Sequence, residues 1–141
     1  VEAPLAAVRR FHGDTGALRL LSPPGTFVRL HAIEPLAEGS VSRFTLWLGP
    51  LPVPWTAVHR DVGERGFTDV QAAGPAASWA HTHSFVPLEE GRTRVDDSIV
   101  FAHKPGLAGL LTRLLFSRPN LHFLIAWRAF ATRRALRRAG S

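Results

Sequence analysis

The spacing of apolar positions along this chain changes twice, once near Thr26 and again after Pro105. Before Thr26, Pro4 to Phe11 (PLAAVRRF) opens on a proline suited to a first helical turn and is closed by Gly13, which predicts a short helix. Thr15 to Leu21 predicts a second helix, stopped by the Ser-Pro-Pro-Gly of residues 22–25. From Thr26 the pattern turns to strands, with breaks at Ala37 to Gly39, Gly49 to Pro52, Gly63 to Gly66, Gly74 to Ala77 and Glu89 to Gly91. Five or six strands at this spacing, joined by hairpin-sized turns, predict an antiparallel meander. After Pro105 the pattern is helical. Leu107, Leu110, Leu111, Leu114 and Leu115 make one apolar stripe; Leu121, Leu124, Ile125, Arg128 and Thr132 make another, with Pro119 between them as a restart or kink. Two helices, a curved antiparallel sheet and a long terminal helix form an α+β arrangement, with that last helix as cover for one face of the sheet.

One strand segment stands out. In WAHTHSF, residues 79–85, the bulky Trp79, His81, His83 and Phe85 alternate with the small Ala80, Thr82 and Ser84. A strand has a side-chain period of two, so two aromatics and two imidazoles share one face. The small residues take the other, and the first set is expected to be the less exposed.

Composition narrows the options. With 141 residues, 45% of them hydrophobic, the chain suits one compact domain, taken as residues 1–141. The absence of cysteine excludes disulfides, thiolate metal sites and cysteine nucleophiles. No apolar run approaches the roughly 18 residues of a membrane span, and VEAPLAAVRR does not read as a signal peptide, so a cytoplasmic protein is the default expectation. There is no methionine, so the chain is expected to start after its translation start. The net charge of +6 is uneven: residues 98–141 carry +8, from Lys104, Arg113, Arg118, Arg128, Arg133, Arg134, Arg137 and Arg138, and the remainder carries −2. That end is read as the solvated face of a terminal helix, whose last-turn arginines suit the macrodipole. The RRALRRA tail lacks the aromatic interleaving of a nucleic-acid surface, so no nucleic-acid partner is expected. Peripheral membrane contact through the basic helix stays open.

The order helix, helix, meander, long helix resembles the START-like helix-grip superfamily (Bet v 1-like, SRPBCC), which includes the birch pollen allergen, polyketide cyclases and lipid-transfer domains. The local motifs are similar to its bacterial cyclase/dehydrase-like branch. They are VEAPLAAVRRFHGD at the start, LGPLPVPWTAVH at 48–59, FTDVQAAGP at 67–75, WAHTHSFVPLEEGRTRVDDSIVF at 79–101, and FLIAWR in the last helix. The resemblance implies a cavity between sheet and terminal helix. It also implies a strand leading into the VEAP segment, so the chain is expected to lack its first strand and to need some other segment over the open sheet edge.

Parity extends the inward face to neighbouring strands. Trp55, Ala57, His59 and Asp61 share one side, as do Phe67, Asp69, Gln71 and Ala73, and Thr93, Val95, Asp97, Ile99 and Phe101. The expected wall holds Trp55, His59, Phe67, Asp69, Gln71, Trp79, His81, His83, Phe85 and Asp97. So many titratable groups do not suit a dry core, where each needs a hydrogen bond or a shifted pKa. A roomy, partly wet pocket suits them better. Adjacent Asp96 and Asp97 point to opposite faces and are no carboxylate pair. A His-x-His strand can bind metal, but a third ligand from His59 or Asp97 is not assured by the sequence, and neither metal nor cofactor is expected. No phosphate loop or nucleophile elbow is visible. The expectation is a carrier or binding protein for a hydrophobic or aromatic molecule, lipid, polyketide-like or quinone-like. One alternative is a cyclase or dehydratase in which His81 or His83 is a general base oriented by Asp97. Another is an interaction module that uses the basic helix. His81, His83 and Asp97 could equally form a buried network that fixes strand register, with Asp97 holding an imidazole tautomer.

Overall fold

The computed structural model describes residues 1–14 and 16–139. It begins with α1 (Leu5–Gly13), for which Pro4, extended at φ −69° and ψ 155°, supplies the N-cap. Val8 and His12, one turn apart, form its buried face. The second predicted helix starts at Thr15, outside the described residues; the helix that forms is α2 (Ala17–Leu21).

Six strands follow: β1 (Thr26–Ile33), β2 (Val41–Leu48), β3 (Leu51–Gly63), β4 (Gly66–Ala73), β5 (Ser78–Pro87) and β6 (Thr93–Ala102). They pair in chain order as a fully antiparallel meander, the α+β sheet that the pattern predicts. Register is set where glycine permits close approach. Gly66 sits at φ +145°, and a Cβ there would collide with the carbonyl oxygen of His83, so no other residue fits opposite this part of β5. At the end of β3 the register shifts between Arg60 and Gly63. Asp61 there takes φ 53° and is exposed, although simple parity would turn it inward with His59. The bulge re-aims it.

The chain returns through a short 3-10 turn (Gly106–Gly109), α3 (Leu110–Leu115) and the 22-residue α4 (Arg118–Ala139). Pro119 lies in the first turn of α4, where its missing N–H is harmless, and so marks a restart rather than a kink. The two leucine-rich stripes fare differently. Arg128, Ala131, Thr132 and Leu136 form the buried face of α4, whereas Leu107 and Leu114 are 89% and 68% exposed. On the short α3 only Thr112 is buried; of the leucine stripe, Leu107, Leu110, Leu111 and Leu114 are exposed and Leu115 is half-buried. Arg133, Arg134, Arg137 and Arg138 are exposed.

β1 and β6 are the sheet edges. Val1 exchanges two backbone hydrogen bonds with Thr93 at the start of β6, and the Thr93 hydroxyl donates to the Ala3 carbonyl at 2.8 Å. Among the described residues no other segment pairs with the outer side of β6, contrary to the expectation of a covering segment. Two apolar clusters flank the space between sheet and helices. Val8, Phe67, Phe85 and Leu136 make one, and Trp55, Ala57, Ala76 and Trp79, with Phe44, Phe101, Phe116 and Leu121 against them, make the other. No described helix is long and apolar enough to cross a membrane.

Candidate functional site

On β5, Trp79, His81, His83 and Phe85 are buried, at 8%, 7%, 2% and 1% exposure, while Ala80, Thr82 and Ser84 are less so. The aromatic face therefore looks toward α1 and α4. Between them lies a cavity of about 440 Å³, within the size range of small-molecule sites. Trp55, His59, Phe67, Asp69, Trp79, His81 and His83 line it. Three residues expected on its wall are elsewhere. Gln71 is spent on a local clamp, its amide donating to the Ala76 carbonyl at 3.0 Å and accepting from the Ala76 N–H at 3.2 Å. Phe85 packs into the core with Val8 and Phe67. Asp97 stands behind the histidines rather than on the cavity surface.

The register explains how the polar groups meet. His59 is opposite Asp69, Asp69 opposite His81, and His83 opposite both Phe67 and Asp97. Direct and diagonal neighbours on one face are within reach of long side chains. An alternating chain results. Asp69 Oδ1 is 3.2 Å from His59 Nε2, and its Oδ2 is 3.3 Å from His83 Nε2. Asp97 Oδ1 is 2.7 Å from His83 Nδ1, a contact too oblique for an aligned hydrogen bond, and 2.9 Å from His81 Nε2. His59 Nδ1 is anchored 3.0 Å from both the hydroxyl and the carbonyl oxygen of Ser40, in the turn before β2. Ser40 has no signature in the sequence.

Charge follows from that geometry. Burial by itself would lower the His83 pKa, but Asp69 and Asp97, one on each ring nitrogen, overcome it and the net direction is upward. Both nitrogens facing carboxylates is the arrangement of an imidazolium. Burial would raise Asp97, yet its hydrogen bond to His81 and its close contact with His83 hold it well below the usual carboxylate range; Asp69 is also lowered, chiefly through His83. His81 goes the other way: burial outweighs its bond to Asp97 and brings it down to about 4. The fourth imidazole, His12 from α1, is brought down to about 3 by burial and by the nearby charges of His83 and Arg128. At neutral pH the wall thus carries two carboxylates and neutral rings at His12 and His81, with the protonated form of His83 favoured by the carboxylates on either side of it.

His12 and Arg128 line the cavity, and neither belongs to the wall that strand parity predicts. His12 stacks near His83 and Phe85, with ring centroids 5.7 and 5.2 Å away. Arg128 is the charged member of the Leu121, Leu124, Ile125, Thr132 stripe, a position that points inward, although its charge reads most simply as part of the solvated terminal helix. For His12 the one signal is its place one turn after Val8.

Metal binding is geometrically available. His81, His83 and Asp97 offer ligand atoms within 4.8 Å of one another, so Asp97 does come within reach as a third ligand. Asp97 Oδ1 is however already shared by both rings, and the Arg128 charge acts on all three groups, which disfavours a cation there.

No family model and no curated protein matches the sequence. Solved structures do match in fold. A protein from Chromobacterium violaceum superposes with a TM-score of 0.71 at 16% identity, over 96% of this chain and 91% of its own. A protein from Thermus thermophilus gives 0.65 at 22% identity, over 96% and 93%. An aromatase/cyclase, Zhui, from a Streptomyces species gives 0.63 at 19% identity, over 96% and 90%. Such likeness speaks for architecture, and it agrees with the order of helices and strands: this chain has the helix-grip fold.

Proposed function

We propose that the protein binds a hydrophobic or aromatic small molecule in the cavity between the sheet and α4 and carries it without chemistry of its own. The observation that bears most on this reading is the cavity of about 440 Å³, walled by Trp55, Trp79, Phe44 and Phe116 and bounded at one part by the histidine–aspartate chain. An apolar pocket of that size with a few convergent polar groups suits a ligand, whereas a network that only fixed register would not need the space.

The second reading, a cyclase- or dehydratase-like enzyme, is favoured by the hydrogen bond between His81 and Asp97 beside the cavity and by the aromatase/cyclase among proteins of the same fold. Acid–base work is most effective with a pKa near the working pH. His81 is brought down to about 4, a weak base, and His83 is raised and clasped from both sides. His81 is thus too weak a base for proton transfer near neutrality, and His83 has each ring nitrogen against a carboxylate, which leaves neither nitrogen free to act on a ligand, so the carrier reading is preferred. Native mass spectrometry and solvent extraction of the purified protein test it. A stoichiometric apolar molecule released unchanged supports a carrier; conversion of that molecule on incubation, lost in His81→Asn, replaces it with the enzyme.

A further inference from the structure

Five buried side-chain polar atoms lack a hydrogen-bond partner among the described residues. Two of them, Asp69 Oδ1 and His83 Nδ1, already face a partner in the histidine–aspartate chain, His59 Nε2 at 3.2 Å and Asp97 Oδ1 at 2.7 Å. The other three, Arg128 Nε, His12 Nε2 and Ser42 Oγ, all belong to residues that line the cavity, brought there by α4, α1 and β2.

Arg128 is the anomaly. The residue is 9% exposed, and its guanidinium makes no hydrogen bond or ion pair among the described residues. Asp97 and Asp69 act on it only at longer range, and both carboxylates are already engaged by imidazoles. A buried charge left in this state is costly, by several kcal/mol in general. Water entering the cavity can supply hydrogen bonds but no countercharge. His12 lies close enough for the two to feel each other's charge, and as a neutral ring it adds an N–H donor, in its Nε2–H tautomer, without adding charge. Phe44, Leu46, Trp55, Trp79 and Phe116 make an apolar part of the wall, and His59, Asp69, His81 and His83, already paired with one another or with Asp97, make a polar part.

We propose that the cavity takes an amphiphilic carboxylic acid as its carboxylate, with the head held by Arg128 and His12 and the apolar body against Trp55, Trp79 and Phe116. This rests on the small-molecule reading above and names its ligand class. The planar guanidinium fork matches a carboxylate, and a desolvated charge pair of this kind is among the stronger polar contacts available.

The test compares dodecanoate with dodecan-1-ol, equal in chain length and different in head, by calorimetry and by the fluorescence of Trp55 and Trp79 at neutral pH. Dodecanoate is expected to bind about tenfold or more tightly, as a charge-assisted hydrogen bond implies, and that ratio is expected to collapse toward one in Arg128→Gln. If Arg128→Gln does not fold, Arg128→Lys, which keeps the charge and loses the fork, is expected to give a reduced ratio, and His12→Gln a smaller reduction. Equal affinity for acid and alcohol in the unaltered protein overturns the carboxylate anchor and leaves the cavity reading standing. A ratio that survives in the Arg128 variant overturns the assignment to that residue. Binding of neither probe overturns the proposal, and the extraction experiment then decides separately whether the cavity reading falls too.

Discussion

Asp97 Oδ1 lies 2.7 Å from Nδ1 of His83, its direct cross-strand partner, and the same oxygen is 2.9 Å from Nε2 of His81. One carboxylate oxygen thus organises both imidazoles of β5. Asp97→Asn removes the carboxylate charge that two buried imidazoles share while keeping its size. Breaking such a pair from one side typically costs about 3 to 5 kcal/mol. Urea unfolding is expected to give a loss at the lower end of that range, since His83 keeps Asp69; a loss within experimental scatter would show that the pair does not matter to stability.

Mild acid is expected to destabilise the protein. His12 and His81 are brought down to about 3 and 4, so between their folded values and the ordinary histidine value the unfolded chain binds protons that the folded chain refuses. Their contribution is complete above about pH 6.5 and falls as pH drops toward 4. Asp97, held low, adds a further loss below about pH 4. His83 has the opposite sign: its pKa is raised, so its stabilisation is complete below about pH 6.5 and fades as pH climbs through the raised value. His12 also faces His83, Arg128, Asp97 and His81, so its titration is coupled to theirs. A urea midpoint that drops between pH 6.5 and 4, by the equivalent of a few kcal/mol, is the expected result. A midpoint flat across that window would contradict buried neutral rings.

Gly66→Ala is expected to be among the most damaging single substitutions on β4. The added methyl would collide with the His83 carbonyl oxygen, and the φ of +145° is closed to alanine. A loss of about 2 kcal/mol or more, read from thermal unfolding, is expected, together with altered His83 ring resonances. Gly63→Ala, which has open space around its Cβ and no positive φ, is the control and is expected to change little.

His81→Asn separates carrier from enzyme by magnitude. A lost buried hydrogen bond weakens ligand binding by about 1 to 2 kcal/mol. Loss of a general base lowers a rate on the order of a hundredfold or more. The smaller effect, with affinity nearly independent of pH between about 6.5 and 8, is expected.

Arg133, Arg134 and Arg138 are exposed near the end of α4. Their joint replacement by glutamine is expected to shift stability by less than about 1 kcal/mol per residue and to leave ligand affinity unchanged. Salt-sensitive retention on DNA or on anionic vesicles, abolished in that variant, would instead make the basic helix a partner surface.

Much of the fold is local in origin and is therefore legible in the sequence. Glycine and proline mark the turns between the six strands, and the two-residue pleat alone puts Trp79, His81, His83 and Phe85 on one face. The same rule brings Trp55, His59, Phe67 and Asp69 to that face, because antiparallel pairing of short hairpins keeps the inward set together. It fails where the backbone departs from the pleat. The bulge at Asp61 turns that side chain out, and the turn after β4 gives Gln71 a closer partner in Ala76 than the cavity could offer.

What the sequence by itself determined is which residues share a strand face, since that depends on bond geometry between near neighbours. Only the tertiary structure decided which face of each helix meets the sheet. That choice buries Arg128 and His12, 116 positions apart, against the same histidines and leaves Leu107 and Leu114 in solvent. Helical periodicity describes a stripe without saying what covers it: the face of α4 finds a sheet to pack on, and the short α3 does not.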